Sequence, residues 1–241
     1  METTVTIDVQ NSPMEVLLFM PDCAAPPSGH PALVLAQHIP VGHTGIENDE
    51  FTLVATRRFA AAGYAVAAPF IFHWWPKDAG IEIKREESRD DRMVADLSAT
   101  WDLLAARDDI DTSRIGVAGH CWGGRVAWLG ACHLPFAACA VFYGGRIQLA
   151  MGDGPPPIEF AGQIRCPVAG YFGSDDANPS PADVDDYSAA LSANNVSHVF
   201  HRYEGAGHAF QNFPSPERCR ETQSEDTWQR VLDFLDRTLM P

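Results

Sequence analysis

No stretch of this chain approaches the roughly 18 consecutive apolar residues that a membrane-spanning helix needs, so no membrane partner is expected. A cysteine framework is missing too: Cys23, Cys121, Cys132, Cys139, Cys166 and Cys219 are scattered and form no CxxC pair. That absence excludes a disulfide-stapled scaffold or a zinc ribbon, and reduced thiols in a cytoplasm are the simplest expectation. The opening METTVTIDVQ has no basic start followed by an apolar stretch and does not read as a secretory signal. Positive charge is scarce, with 17 Lys and Arg against 32 Asp and Glu, a formal net charge of −15. Such a balance favours solubility and argues against a nucleic-acid partner. Charged residues make up 20% and hydrophobic ones 46%, too apolar for a disordered chain and enough for a sizeable core. Internal repeats, low-complexity tracts and long linkers are also lacking. One domain over residues 1–241 is expected, as a monomer or small homo-oligomer.

What is present is an alternation of short β-rich runs and helical patterns, which predicts a mainly parallel sheet covered on both faces by helices. Thr4–Val9 and Val16–Met20 alternate as an opening antiparallel pair, and Ala32–Ala36 is a continuous apolar run suited to a strand buried on both faces. Further strands are expected at Tyr64–Ala68, Ile115–Ala118, Ala138–Tyr143, Val168–Phe172 and Val196–Tyr203. Helices are expected at Asn48–Ala62, from the S-x-x-D signal at Ser88, at Gly123–Leu134, from Ser180 to Ala193, and at the C-terminus. Ser180, Pro181 and Asp183 supply a cap, a first-turn proline and a third-position acid. Pro69–Glu87 and Gly144–Phe160 read as irregular.

The segment that carries chemistry is Gly119-His120-Cys121-Trp122-Gly123-Gly124, between a predicted strand and a predicted helix. A nucleophile flanked by glycines in that context is an elbow, a sharp turn that lifts the side chain clear of the sheet edge. The helix N-terminus behind it favours a thiolate, and the Trp122 N–H can serve a developing oxyanion. In this fold the acid follows the nucleophile in the chain and the histidine comes last, each after a later strand. Gly173-Ser174-Asp175 follows one predicted strand, and Glu204-Gly205-Ala206-Gly207-His208 follows another. Both lie where open α/β sheets bind ligands.

These segments, GHCWGG at 119–124, FGSDDANP at 172–179, YEGAGHAF at 203–210 and LAQHI at 35–39, resemble the dienelactone hydrolase family over nearly the whole chain. The resemblance implies an α/β-hydrolase fold without a large lid and a cysteine nucleophile. By it, Cys121 is the nucleophile, His208 the base and Asp175 its orienter. Asp175 is preferred to Asp176 because the family places its acid two residues after a glycine and four before a proline, here Gly173 and Pro179. Ile39 would supply the second oxyanion N–H, which Pro40 lacks.

Two positions depart from the family pattern. A glutamate that pairs with the resting thiol is replaced by His38, expected here to stabilise the thiolate or line the pocket. An arginine four residues after the catalytic histidine is replaced by Asn212, with Arg85, Arg89 and Arg92 as candidates for a second substrate-binding arginine. Trp74, Trp75 and Trp122 are expected to wall a pocket for a flat molecule of low charge. No metal and no organic cofactor is expected. The reaction implied is hydrolysis of a small activated ester or lactone through a thioester. Acyl transfer by the same triad, or a non-catalytic ligand-binding relative, is the alternative.

Overall fold

Strands rich in Ala, Val and Leu need cover on both faces, and the computed structural model, which describes residues 1–240, provides it. Eight strands, β1 (Glu2–Val9), β2 (Ser12–Phe19), β3 (His30–Ala36), β4 (Ala65–Pro69), β5 (Ile110–His120), β6 (Cys139–Phe142), β7 (Val168–Gly173) and β8 (His198–Tyr203), form one sheet in the order β1-β2-β4-β3-β5-β6-β7-β8. β1 and β2 are antiparallel, and β2 pairs antiparallel with β4; every later pairing is parallel. Every residue of β3, β4, β6 and β7 is buried, as a sheet sandwiched between helices requires.

The helices are α1 (Val41–Thr44), α2 (Glu50–Ala61), α3 (Ile81–Glu86), α4 (Asp90–Ala105), α5 (Trp122–His133), α6 (Pro181–Ala193) and α7 (Glu221–Leu239). α2 packs on α7 through Phe59 and Trp228, ring centroids 5.1 Å apart. On α5, Gly130 lets Leu97 of α4 approach, and Trp128 meets Tyr187 of α6. Ser180 opens α6 with a complete capping box, its hydroxyl taking the Asp183 N–H while the Asp183 carboxylate takes the Ser180 N–H. Among the described residues no helix is long and apolar enough to cross a membrane.

Three local readings change. The irregular stretch after β4 contains α3, whose buried Lys84 donates to the carbonyls of Gly42 (2.6 Å) and Lys77 (3.0 Å) and so braces the loop after β3. Ser88 does not cap α4: its hydroxyl turns back to the Lys84 carbonyl at 2.6 Å, and Arg89 stands at the cap position. β5 begins five residues earlier than its apolar core, because Ile110 pairs with His30 across an irregularity before the regular register starts at Ile115.

Two polar assemblies fix the rim of the sheet. His73, beyond β4, joins the Ser12 hydroxyl through Nδ1 (2.8 Å) and Asp96 of α4 through Nε2 (2.9 Å), and the Trp74 indole donates to the other Asp96 oxygen at 3.1 Å. On the other side of the rim, Arg125 of α5, fully buried, donates to both Asp90 oxygens (2.7 and 2.8 Å) and to the carbonyls of Arg146 and Leu149. The loop after β6 is thereby tied to the helix behind Cys121. Removing one member of a buried pair strands the other charge. Asp90→Ala is therefore expected to lower stability by about 3 kcal/mol, whereas Asp91→Ala at the exposed start of the same helix changes it by under about 0.5 kcal/mol. Denaturant midpoints of the two variants check this.

Candidate active site

Cys121 ends the turn between β5 and α5 with φ 57° and ψ −116°, a conformation that a side chain other than hydrogen strongly disfavours. The turn closes only because two flanking residues are glycine. A Cβ on Gly119 would collide with the Gly123 carbonyl, and one on Gly123 would collide with the Ala36 carbonyl at the end of β3. The strain presents the thiol at the sheet rim. There His208, from the loop after β8, places Nε2 3.0 Å from Sγ.

The carboxylate on the far side of the imidazole is Asp176, whose Oδ2 lies 2.9 Å from His208 Nδ1. Asp175, the expected orienter, is exposed and makes no contact with His208, so the expectation is off by one residue. The backbone explains the displacement. The Ser174 N–H donates to Tyr203 and the Asp175 N–H to Ala206, so the chain still runs beside the extension of β8 at 175. It turns only at Asp176, whose N–H returns to the Gly173 carbonyl and whose Oδ1 accepts the Asn178 N–H at 2.8 Å. Asp176 is left 5% exposed, pointing inward.

Burial alone would push the His208 imidazole down. The hydrogen bonds to Asp176 and Cys121, and the charges on both, outweigh that and raise it to about 10. Tyr143 sets its ring edge against the imidazole, centroids 5.4 Å apart.

Cys121 and His208 open onto a cavity of about 530 Å³. Its wall includes His38, Ile39, Trp122, Arg85 and Asn212, and both Asp175 and Asp176. The Ile39 N–H, at the end of β3, and the Trp122 N–H, at the start of α5, take no part in the loop and turn hydrogen bonds of the described residues.

His38 does not bond to Cys121. Its Nε2 faces both oxygens of Asp49, each at 2.9 Å, and its ring packs on Phe51. Trp74 and Trp75 stay outside the cavity. Their indoles are held by Asp96 and Glu87 (3.1 and 2.8 Å), Arg92 lies over both rings, and they line a separate crevice of about 10 Å³ behind Trp122. Arg89 is committed to Asp91 and Asp153.

Two cavity arginines were not anticipated, Arg146 and Arg218. Arg146 has φ 58°, and its carbonyl is held by Arg125. The Gly144-Gly145 pair before it is the one local hint of an unusual turn. His120 points away from the cavity, stacks on Phe142 at 4.2 Å and is pushed down to about 3 by burial.

The identity of the orienting acid can be read without any substrate. In the unaltered protein the His208 ring should titrate near pH 10. Asp176→Asn is expected to bring that titration down by about one unit or more, and Asp175→Asn to leave it in place, followed by NMR of the imidazole carbon-bound protons. A larger shift in Asp175→Asn than in Asp176→Asn would reverse the assignment.

A family model for the dienelactone hydrolase family matches residues 14–239. A Salmonella typhimurium protein named "Putative carboxymethylenebutenolidase" is 31% identical over 193 residues, spanning 74% of this chain and 69% of its own length. A Synechocystis protein of the same name is 29% identical across 98% of this chain and 97% of its own. Among solved structures, the "Putative Dienelactone Hydrolase" of Klebsiella pneumoniae superposes with a TM-score of 0.84 at 27% identity, covering 98% of both chains. The α/β-hydrolase architecture, the cysteine elbow and a match over almost the full length agree, and the chain belongs to the dienelactone hydrolase family.

Proposed function

We propose that this protein hydrolyses activated esters or lactones, with Cys121 as nucleophile, His208 as acid and base, and Asp176 as the residue that orients the imidazole. The observation that carries the reading is the unbroken relay from Sγ through the imidazole to a buried carboxylate, at 3.0 and 2.9 Å, on a strained elbow. Sγ attacks the carbonyl carbon, and the N–H groups of Ile39 and Trp122 receive the negative charge on its oxygen. The C–O bond breaks as His208 gives its proton to the departing oxygen, leaving a thioester on Cys121. Water then attacks the thioester carbon and passes a proton to the now neutral His208, and the C–S bond breaks as the thiolate leaves.

The cavity wall supports a substrate with an anionic group. Arg85, Arg146 and Arg218 face it in a chain of net charge −15. Arg85 and Arg218 have only loose carboxylate neighbours, at 3.6 and 3.8 Å. Arg146 has no carboxylate partner among the described residues. With Trp74 and Trp75 outside, the aromatic wall that suggested an uncharged substrate reduces to Trp122.

Cys121→Ala should cut kcat/KM on an aryl ester by at least about a thousandfold. Mass spectrometry of the unaltered protein quenched during turnover should find one acyl group on Cys121. Undiminished turnover by the alanine variant would sink the proposal. The profile of kcat/KM should fall as pH rises through about 10, where His208 loses the proton that acylation needs. Asp176→Asn should move that alkaline limb to lower pH.

A further inference from the structure

The cavity holds a second imidazole–carboxylate pair that the reaction above does not use. Asp49 sits at the N-terminus of α2, where it accepts the Thr52 N–H at 2.8 Å, and it grips His38 Nε2 with both oxygens. Both side chains are nearly buried, at 7% and 10% exposure. Burial pushes the Asp49 carboxyl up, but the bonds from His38 and Thr52, with the charge His38 carries when protonated, outweigh it and hold the group below its usual range. An ionised Asp49 takes the hydrogen on Nε2, and Nδ1, the lone-pair nitrogen of the ring in its neutral form, has no protein partner. Phe51 packs on the ring at 5.1 Å and limits its rotation.

Topology places this pair opposite the first. In the sheet, β3 flanks β5 on one side, while β6, β7 and β8 follow on the other. His38 comes from the end of β3, next to Ile39. Asp176 and His208 come from the ends of β7 and β8. Cys121, at the end of β5, therefore has one imidazole–carboxylate dyad on each side.

We propose that His38, oriented by Asp49, is a second catalytic base, used to hydrolyse the thioester when the substrate is a lactone. This rests on Cys121 forming a thioester, as argued above. Opening a lactone leaves the new hydroxyl tethered to the acyl chain, beside the His208 that has just protonated it. A tethered nucleophile has a very high effective concentration, so ring closure competes with hydrolysis while that hydroxyl occupies the His208 side. His38 approaches from the other side. A water oxygen bonds to the thioester carbon and its proton goes to His38 Nδ1. The tetrahedral intermediate then collapses, the C–S bond breaks, and Sγ leaves as thiolate with the carboxylic acid as product. His38 returns its proton to solvent and His208 takes one up, which restores the resting site. With an open ester the alcohol diffuses away, and His208 is free to activate water itself.

Two probes with the same leaving group separate these cases: dihydrocoumarin, whose phenol stays tethered, and phenyl 3-phenylpropanoate, whose phenol departs. His38→Gln keeps a polar side chain without a basic nitrogen, and its loss in kcat should be about 100-fold greater on the lactone than on the open ester. Asp49→Asn should shift the ratio in the same direction by less. Acyl-enzyme should accumulate in His38→Gln during lactone turnover, seen as added mass on Cys121. Equal losses on the two probes, no loss on the lactone, or an unaltered protein that hydrolyses the open ester but not the lactone would overturn the proposal. Full activity of Cys121→Ala on the open ester would instead sink the underlying reading.

Discussion

Backbone packed directly on backbone at the turn after β5 governs everything downstream. Gly119 lies against the Gly123 carbonyl, and Gly123 lies against the carbonyls of Ala36 and Gln37. Because no side chain intervenes, the elbow sits hard against the end of β3. The Trp122 N–H is thereby brought to the same cavity as the Ile39 N–H, and Cys121 to the same cavity as His38. A methyl group at Gly123 would push the start of α5 away from the end of β3 and separate the thiol from its neighbours on the β3 side, and one at Gly119 would force the elbow turn itself open. The strain at Cys121, with φ 57°, is of the kind that costs about 1–3 kcal/mol and is retained where a site depends on it.

What the amino-acid order made legible follows the same logic. Glycines report on backbone crowding, so the elbow at 119–124 could be read directly. The opening of α6 could also be read, because a capping box is a purely local exchange between Ser180 and Asp183. The spacing that favoured Asp175 over Asp176 picked the wrong one of the two. They are chemically identical neighbours, and what separates them is how far the chain keeps pairing with the segment after β8, a contact some thirty residues away. Trp74 and Trp75 misled for a similar reason: indoles next to a predicted site look like a pocket wall until Asp96 and Glu87, on later segments, claim their N–H groups. His38 was legible as a departure from the family pattern but not as a dyad, because its partner Asp49 lies across a loop and two short helical turns.

Charge is distributed with comparable economy. Much of the acidic excess faces solvent, and surface pairs such as Arg58–Glu225 and Arg202–Asp185 contribute little to stability. Inside, Arg125 fixes the loop after β6 from the elbow helix, and that loop carries Arg146 to the cavity. Arg125 therefore couples the position of a cationic cavity side chain to the helix that follows Cys121. Local positive potential at the cavity can then oppose the net charge of the chain.

The height of the His208 titration has a chemical consequence. In the proposed reaction the hold on the His208 proton decides when it can pass to the departing oxygen. Part of that hold comes from Cys121 itself, through the hydrogen bond and the charge on sulfur. In the proposed reaction, attack on a carbonyl consumes the sulfur charge as the new C–S bond forms, so the grip on the proton weakens at the moment the leaving oxygen needs it. Asp176, buried and anchored by the Asn178 N–H, does not change during that step and keeps the ring aimed. On the proposed mechanism the sulfur charge thus times the release of the His208 proton, while the fixed carboxylate keeps the ring aimed and holds its titration up throughout. Under the proposed mechanism such a site would favour enol and aryl leaving groups, for which the proton is needed late, over amines, which must be protonated before the C–N bond can break.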